Sequence, residues 1–265
     1  MRAVRYVLLD PTGNRTAMVL DPTAEEEREE ITRRLMAESE QVAYCVRPAD
    51  PAARGAIRLM GGEFCGNAAM AAACWWARED GLAEGAETVV PMEVSGAEGV
   101  LPCRVRHGKD GWEGTVTMPP VLGTEELRAE GYRMTAVRMQ GIRHWVLDGS
   151  MMEDREAESF LQRRAAGIPE EAAGLMQWNR RSGVMRPLVL VKGSGTMVWE
   201  TGCGSGSAAV GAYEALRRGE GTTETRVHQE GGTIVVNATV RGGRVTEVTI
   251  TGKVIMGEEQ LYEQV

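Results

Sequence analysis

The chain has 265 residues, 26% of them charged, a net charge of −8, and basic residues scattered in pairs such as Arg33-Arg34, Arg163-Arg164 and Arg217-Arg218. That dispersion excludes a nucleic-acid footprint, and no apolar run approaches the length needed to cross a bilayer. Cys45, Cys65, Cys74, Cys103 and Cys203 lack C-x-x-C or Cys/His ligand spacing, and there are only 3 histidines. Neither a disulfide framework nor a metal site is indicated.

In chain order, Val4 to Leu9 and Ala17 to Leu20 read as strands around the Pro11-Thr12-Gly13-Asn14 turn. The first apolar run is too short for a signal peptide, so a cytoplasmic protein is expected. Thr23 and Glu26 have the spacing of a capping box, with Thr23 as N-cap, opening a charged surface helix to about Ala37. Val42 to Val46 and Ile57 to Met60 follow as short strands. Gly61-Gly62 then releases the chain into a helix that starts at Cys65 and runs to about Arg78. Its sequence, Ala68 to Trp76, has no polar face, so it must be enclosed on nearly all sides.

Thr88 to Val94, Val100 to Val105 and Gly114 to Met118 are strand-like and predict a bent sheet around that helix. Pro119-Pro120 marks the expected crossing to a second half. There, strands at Val137 to Met139 and Trp145 to Leu147 precede a helix near Glu153 to Ala166. Leu188 to Val191 and Met197 to Trp199, joined by a hairpin turn at Lys192-Gly193-Ser194-Gly195-Thr196, lead into a helix from Cys203 to Gly219. Arg226 to His228, Thr233 to Val240 and Val245 to Ile250 complete a sheet. The reading is an α+β chain: residues 1–120 carry Cys65, residues 121–252 carry Cys203, and 253–265 return to the first lobe.

The two halves repeat one plan. Glu63-Phe64-Cys65-Gly66-Asn67-Ala68-Ala69 matches Thr201-Gly202-Cys203-Gly204-Ser205-Gly206-Ser207-Ala208-Ala209, each a cysteine opening an alanine-rich helix. Gly13-Asn14-Arg15 with Val19-Leu20-Asp21 matches Gly141-Ile142-Arg143 with Val146-Leu147-Asp148. Glycine turns follow each cysteine, at Ser95-Gly96 and Gly231-Gly232. Such ordered self-similarity points to a duplication. Each cysteine should lie where unpaired N–H groups and the helix dipole favour thiolate over thiol.

Two such thiols suit an acid/base pair. Inverting a carbon that bears hydrogen requires removing the proton from one face and delivering another to the opposite face, and a deprotonated and a protonated residue do both at once. The weakly acidic α-proton of an amino acid needs a stabilised transition state sheltered from water, and N–H groups of Gly66-Asn67 and Gly204-Ser205-Gly206 could bind the substrate carboxylate. No lysine stands in a pyridoxal phosphate setting, so no cofactor is expected. The Gly202-x-Gly204-x-Gly206 run lacks dinucleotide spacing.

Glu-Phe-Cys-Gly-Asn-Ala at 63–68, Cys-Gly-Ser-Gly at 203–206, Thr-Gly-Asn at 12–14 and the His228-Gln229-Glu230-Gly231-Gly232 turn together resemble the diaminopimelate epimerase-like, cofactor-independent racemases. Within them, the chain is most similar to the histidine racemases that supply staphylopine-type opine metallophores. The resemblance implies two pseudo-symmetric lobes, each a bent, mostly antiparallel sheet around a central helix, an active site in the interlobe cleft, and a homodimer. By position it implies Cys65 and Cys203 as catalytic pair, Asn14, Asn67 and Ser205 around the α-amino and carboxylate groups, and Glu200 and His144 close to the ammonium or the thiols. Gly66 and Gly204 belong to the same binding set. Glu40-Gln41 resembles the Glu-Gln that meets an imidazole. The chain lacks the Glu-Arg-Gly stretch that grips a distal carboxylate, which argues against a substrate with a second carboxylate.

Rival readings are an epimerase or isomerase of the same fold with another amino acid or an unsaturated acid, a thiol redox protein cycling a Cys65–Cys203 disulfide, and a dead binding pair. Cys45, Cys74 and Cys103 read as core filler. His144 alone would more often be a structural histidine, but its place in the repeat, opposite Thr16, balances that against a site role, and His228 reads as structural. Trp75-Trp76 should seal the core, and Trp199, just ahead of Glu200, could wall a flat substrate ring.

Overall fold

The computed structural model describes residues 3–193 and 195–263, so Ser194 of the hairpin turn and Gln264-Val265 of the returning segment lie outside the described residues. The chain divides into two compact units, one made of the residues up to Thr117 with those from Thr251 onward, the other of Met118–Ile250.

In the first unit the chain runs β1 (Ala3–Pro11), β2 (Thr16–Val19), α1 (Glu25–Leu35), β3 (Gln41–Val46), β4 (Gly55–Leu59), α2 (Gly66–Glu79), β5 (Glu87–Val94), β6 (Leu101–Gly108) and β7 (Gly111–Thr117). Strands adjacent in sequence pair antiparallel, except where a helix intervenes. β2 pairs β3 in parallel across α1, and β4 pairs β5 in parallel across α2. The last strand of the chain, β16 (Arg244–Glu263), lies beside β7 and pairs antiparallel with β1 through Val254–Glu263, so this sheet closes on itself. Closure leaves no open edge. Every residue of α2 from Gly66 to Ala77 is buried, as its all-apolar sequence demands. Trp75 and Trp76 are 2% and 8% exposed, and Cys74 and Cys103 are fully enclosed, whereas Cys45 is only partly buried.

The second unit repeats this order: β9 (Tyr132–Met139), β10 (Ile142–Asp148), α3 (Asp154–Ala166), β11 (Ala172–Asn179), β12 (Val184–Val191), α4 (Gly204–Arg218), β14 (Gly221–Gln229), β15 (Gly232–Arg241) and the start of β16. β10 and β11 are parallel across α3, β12 and β14 parallel across α4, and the remaining neighbours for which a register is defined are antiparallel. Two strands have no counterpart in the first unit. β8 (Gly123–Ala129) extends the sheet beside β9, and β13 (Thr196–Trp199) folds back on β12. α4 is buried from Gly206 to Ala215, and its buried Glu214 accepts from Trp178 and Arg180. No helix among the described residues is long and apolar enough to cross a membrane.

Several sequence expectations shift. The expected capping box does not form: Ala24, which has no side-chain acceptor, is the N-cap of α1, Glu27 Oε2 accepts from Ala24 N, and the Thr23 hydroxyl turns back to the Asp21 carbonyl. The helix ends at Leu35 rather than Ala37. β8 and β11 are absent from the sequence reading. β8 is charged and mostly exposed, and β11 mixes Gly174 and Gln177 into an apolar run, so neither shows clear alternation.

The tight seat of α2 generates one prediction. A Cβ on Gly114 in β7 would lie 2.8 Å from Met70 Cβ and 3.1 Å from Met70 Cα, atoms of a helix enclosed by the sheet. Gly114→Ala should therefore destabilise by about 1–3 kcal/mol despite the better strand propensity of alanine, measured by urea unfolding. A second concerns alkali. Burial pushes the Cys103 thiol from its ordinary 9.0 up to about 12. The fold favours the neutral thiol, so its contribution to stability is complete below pH 9 and disappears as pH rises toward 12. Cys103→Ala should flatten the alkaline fall in melting temperature, which otherwise steepens by up to about 1.4 kcal/mol per pH unit from this group.

Candidate active site

Each candidate cysteine is the N-cap of its unit's buried helix. Cys65 has extended backbone (φ −131°, ψ 112°) and its Sγ accepts from Ala68 N at 3.5 Å. Cys203 (φ −107°, ψ 106°) does the same from Gly206 N at 3.2 Å. A thiol here does what serine or aspartate does at ordinary helix starts, accepting one of the otherwise unpaired first-turn N–H groups. The arrangement needs small residues beside it: a Cβ on Gly206 would lie 2.2 Å from Met176 Sδ and 3.0 Å from Cys203 Sγ. The Gly206 N–H is thus taken by the sulfur rather than offered to a ligand, which narrows the carboxylate-binding expectation in this unit to Gly204 and Ser205.

Burial opposes the expected bias of the helix starts toward thiolate. Burial raises the Cys65 thiol above 9.0, and the opposing donors, the Ala68 N–H, the Gln41 amide and the Asn67 N–H, reduce that rise without reversing it. Cys203 lies well above 9.0, again through burial first and then through the Glu200 carboxylate, which attracts the thiol proton; Ser205 and Gly206 pull the other way. Desolvation of a thiolate outweighs the partial charge of a helix terminus at both positions, at Cys203, which is buried, and at Cys65, which is partly buried.

Around Cys65 the first unit assembles Asn14, Glu40 and Gln41. The Asn14 amide donates to Glu40 Oε2 at 3.0 Å, and Gln41 Nε2 donates to Asn14 Oδ1 at 2.5 Å and Thr16 Oγ1 at 2.8 Å. Cys65 Sγ lies 3.9 Å from Asn14 Oδ1. Gln41 is buried, Cys65 partly buried and Glu40 exposed, so the cluster runs out to a solvated carboxylate. Gly66 and Asn67 form the buried first turn of α2.

Around Cys203 the second unit assembles Ser205 and His144, with Glu200 on the preceding segment. Ser205 Oγ is 3.6 Å from Cys203 Sγ and 3.0 Å from His144 Nε2. His144 is completely buried and its Nδ1 has no hydrogen-bond partner, so burial lowers its pKa from 6.5 to about 3 and the ring is neutral. Gly204 begins α4.

The two clusters sit at equivalent registers with side-chain bulk exchanged. Thr16 in β2 faces Gln41 in β3, and His144 in β10 faces Gly174 in β11. In the first unit the small residue is on the earlier strand and the long amide on the later. In the second the imidazole is on the earlier strand, and a Cβ on Gly174 would lie 2.3 Å from its Nδ1. Thr16 and His144 each follow the arginine of the repeated Gly-x-Arg, and their partners Gln41 and Gly174 emerge only from strand pairing.

Trp199 departs from its expectation. It packs on the core beneath α3, donates toward Glu158 at 3.4 Å and is covered by the Arg186 guanidinium 4.5 Å from its ring centre, so it is a packing residue rather than an aromatic wall. His228 is an exposed strand-end residue paired to Thr233. Among the described residues no cluster of three or more His, Cys, Asp or Glu could hold a metal ion.

Residues 3–262 match the family described as the histidine racemase CntK N-terminal domain. A histidine racemase of Fusobacterium nucleatum subsp. nucleatum (strain ATCC 25586) is 26% identical over 272 residues, covering 97% of this chain and 98% of that relative. A histidine racemase of Staphylococcus aureus (strain Mu50) is 25% identical over 249 residues, 89% of each. The Bacillus anthracis phenazine biosynthesis protein of the PhzF family shares the fold, with a TM-score of 0.75 at 15% identity over 100% of both chains. With the match running from the first described strand to the last, the chain belongs to the histidine racemase CntK N-terminal domain family.

Proposed function

We propose that this protein is a cofactor-independent racemase that interconverts L- and D-histidine, with Cys65 and Cys203 as the acid and base. The observation that carries the reading is the doubled thiol cap: two cysteines in the same structural role, each on an enclosed helix start in a unit of the same strand order. Family membership supports racemisation, and the names of the relatives support histidine.

The chemistry balances without any group beyond the chain and its substrate. One cysteine, as thiolate, takes the α-proton and becomes a thiol. The other gives its proton to the opposite face of the same carbon and becomes a thiolate, so each turnover leaves the pair ready for the reverse direction. Because both thiols favour the neutral form, loss of one proton precedes reaction. A substrate ammonium beside them favours the resulting thiolate by direct charge attraction. First-turn N–H groups at Gly66, Gly204 and Ser205, with the Asn67 side chain, suit the substrate carboxylate. Asn14 and Gln41 suit the amino-acid head, and Glu40, the solvated end of its cluster, suits an imidazolium. Glu200 and His144 tune Cys203. The sequence resemblance further supports a cytoplasmic homodimer that supplies D-histidine to an opine metallophore.

Incubation with L-histidine in D2O tests the assignment by chirality and α-deuterium. Inversion with deuterium incorporation is expected, and exchange on another amino acid but not on histidine would transfer the reading to that substrate. Cys65→Ser and Cys203→Ser should each reduce racemisation by about 10²- to 10⁴-fold with the fold intact by circular dichroism. A thiol redox protein would instead leave α-hydrogen untouched and turn over with a dithiol. Glu40→Gln should reduce kcat/KM on histidine by roughly tenfold while sparing alanine, about the value of one charge-assisted contact; equal losses on both substrates would remove Glu40 from specificity.

A further inference from the structure

The glycine turn that follows each cysteine returns to the segment just ahead of it. In the first unit the Ser95 hydroxyl donates to the Glu63 carbonyl at 2.8 Å and accepts from Leu59 N at 2.9 Å. Gly96, with φ +74°, lets this turn press against the same peptide: a Cβ there would lie 2.3 Å from Phe64 N. In the second unit Gly231 N donates to the Thr201 carbonyl at 2.8 Å. Glu63 and Thr201 each stand two residues before their cysteine, so the carbonyl at one equivalent place is held by the equivalent turn in both halves.

The second unit has, in addition, a side-chain amide bonded to its cysteine backbone. Gln229 Oε1 accepts from Cys203 N at 2.7 Å, and Gln229 Nε2 donates to Ser207 Oγ at 3.0 Å. Ser207 Oγ in turn donates to the Cys203 carbonyl at 2.7 Å. These bonds form a closed ring through both backbone polar groups of Cys203. The ring fixes the first turn of α4, and with it the Gly206 N–H that points at the sulfur.

We propose that Gln229 is the positioning residue of Cys203, holding the helix start in the geometry that lets the thiolate form. The inference rests on Cys203 being one of the acid/base pair. Gln229 touches no reacting atom in this role; it acts through the Cys203 backbone and the first-turn N–H that favours the charged sulfur. Its action is confined to one thiol, because the first unit pins its cysteine segment through Ser95 instead.

The test is peptide-resolved alkylation by iodoacetamide across pH, reading Cys203 and Cys65 separately in the same full-length protein. Gln229→Met removes both amide bonds at similar length. It should move the alkylation midpoint of Cys203 upward by about one pH unit, roughly a tenfold smaller thiolate fraction below the midpoint, and leave Cys65 in place. Histidine racemisation should show a lower kcat with KM little changed. If Gln229→Met fails to fold, Ser207→Ala decides: it opens the ring by one small atom at a fully buried site and should shift Cys203 in the same direction by less. Coincident Cys203 profiles in the folded variants and the parent, or equal shifts at both cysteines, would overturn the proposal. Absence of α-hydrogen exchange in the parent would instead overturn the racemase reading, and the alkylation comparison would still report on Gln229.

Discussion

A cysteine sulfur that caps a buried helix is held between two opposing demands, and much of the fold around Cys65 and Cys203 answers them. The N–H of Ala68 or Gly206 favours negative charge on the sulfur, while enclosure by apolar neighbours disfavours it. Enclosure prevails, so both thiols rest neutral. A site of this kind stays unreactive until something else contributes positive charge, and a dry setting then strengthens every contact to that charge. The apolar helices α2 and α4 are therefore more than core: they supply the dryness that keeps the thiols protonated and the aligned amides that make ionisation attainable.

Each unit repeats one chain path, but the immediate surroundings of the two sulfurs differ. Cys65 faces the Gln41 amide, which favours a thiolate, and the Asn14 carbonyl oxygen, which accepts from the thiol. Cys203 faces Ser205, backed by a neutral His144, and a carboxylate, Glu200, that holds the proton on sulfur. One part of the asymmetry is an exchange of bulk between facing strand positions, Thr16 with Gln41 against His144 with Gly174. The two units share one chain path, and different residues at facing positions give the two sulfurs different partners.

Much of this was legible in the linear sequence where local physics dominates. The run from Ala68 to Trp76 has no polar face and so had to be an enclosed helix, and Cys-Gly followed by alanines twice over marked both helix starts. Expectations failed where tertiary contacts outweigh local pattern. β11 contains Gly174 and Gln177, which disrupt strand alternation but are required by His144 and by the Met152 backbone. Trp199 stands next to Glu200 in sequence, yet alternation along β13 sends its ring to the core beneath α3.

The sequence by itself determined the two cysteines, their duplicated setting and the family, because short-range rules of helix initiation and self-similarity act between residues close along the chain. Only the tertiary structure decided the ionisation of the thiols, the pairing of Gln41 with Thr16 and of His144 with Gly174, and the ring that Gln229 closes around Cys203. Burial and strand register join residues far apart in sequence, and desolvation depends on all the atoms around a group rather than on its neighbours in the chain.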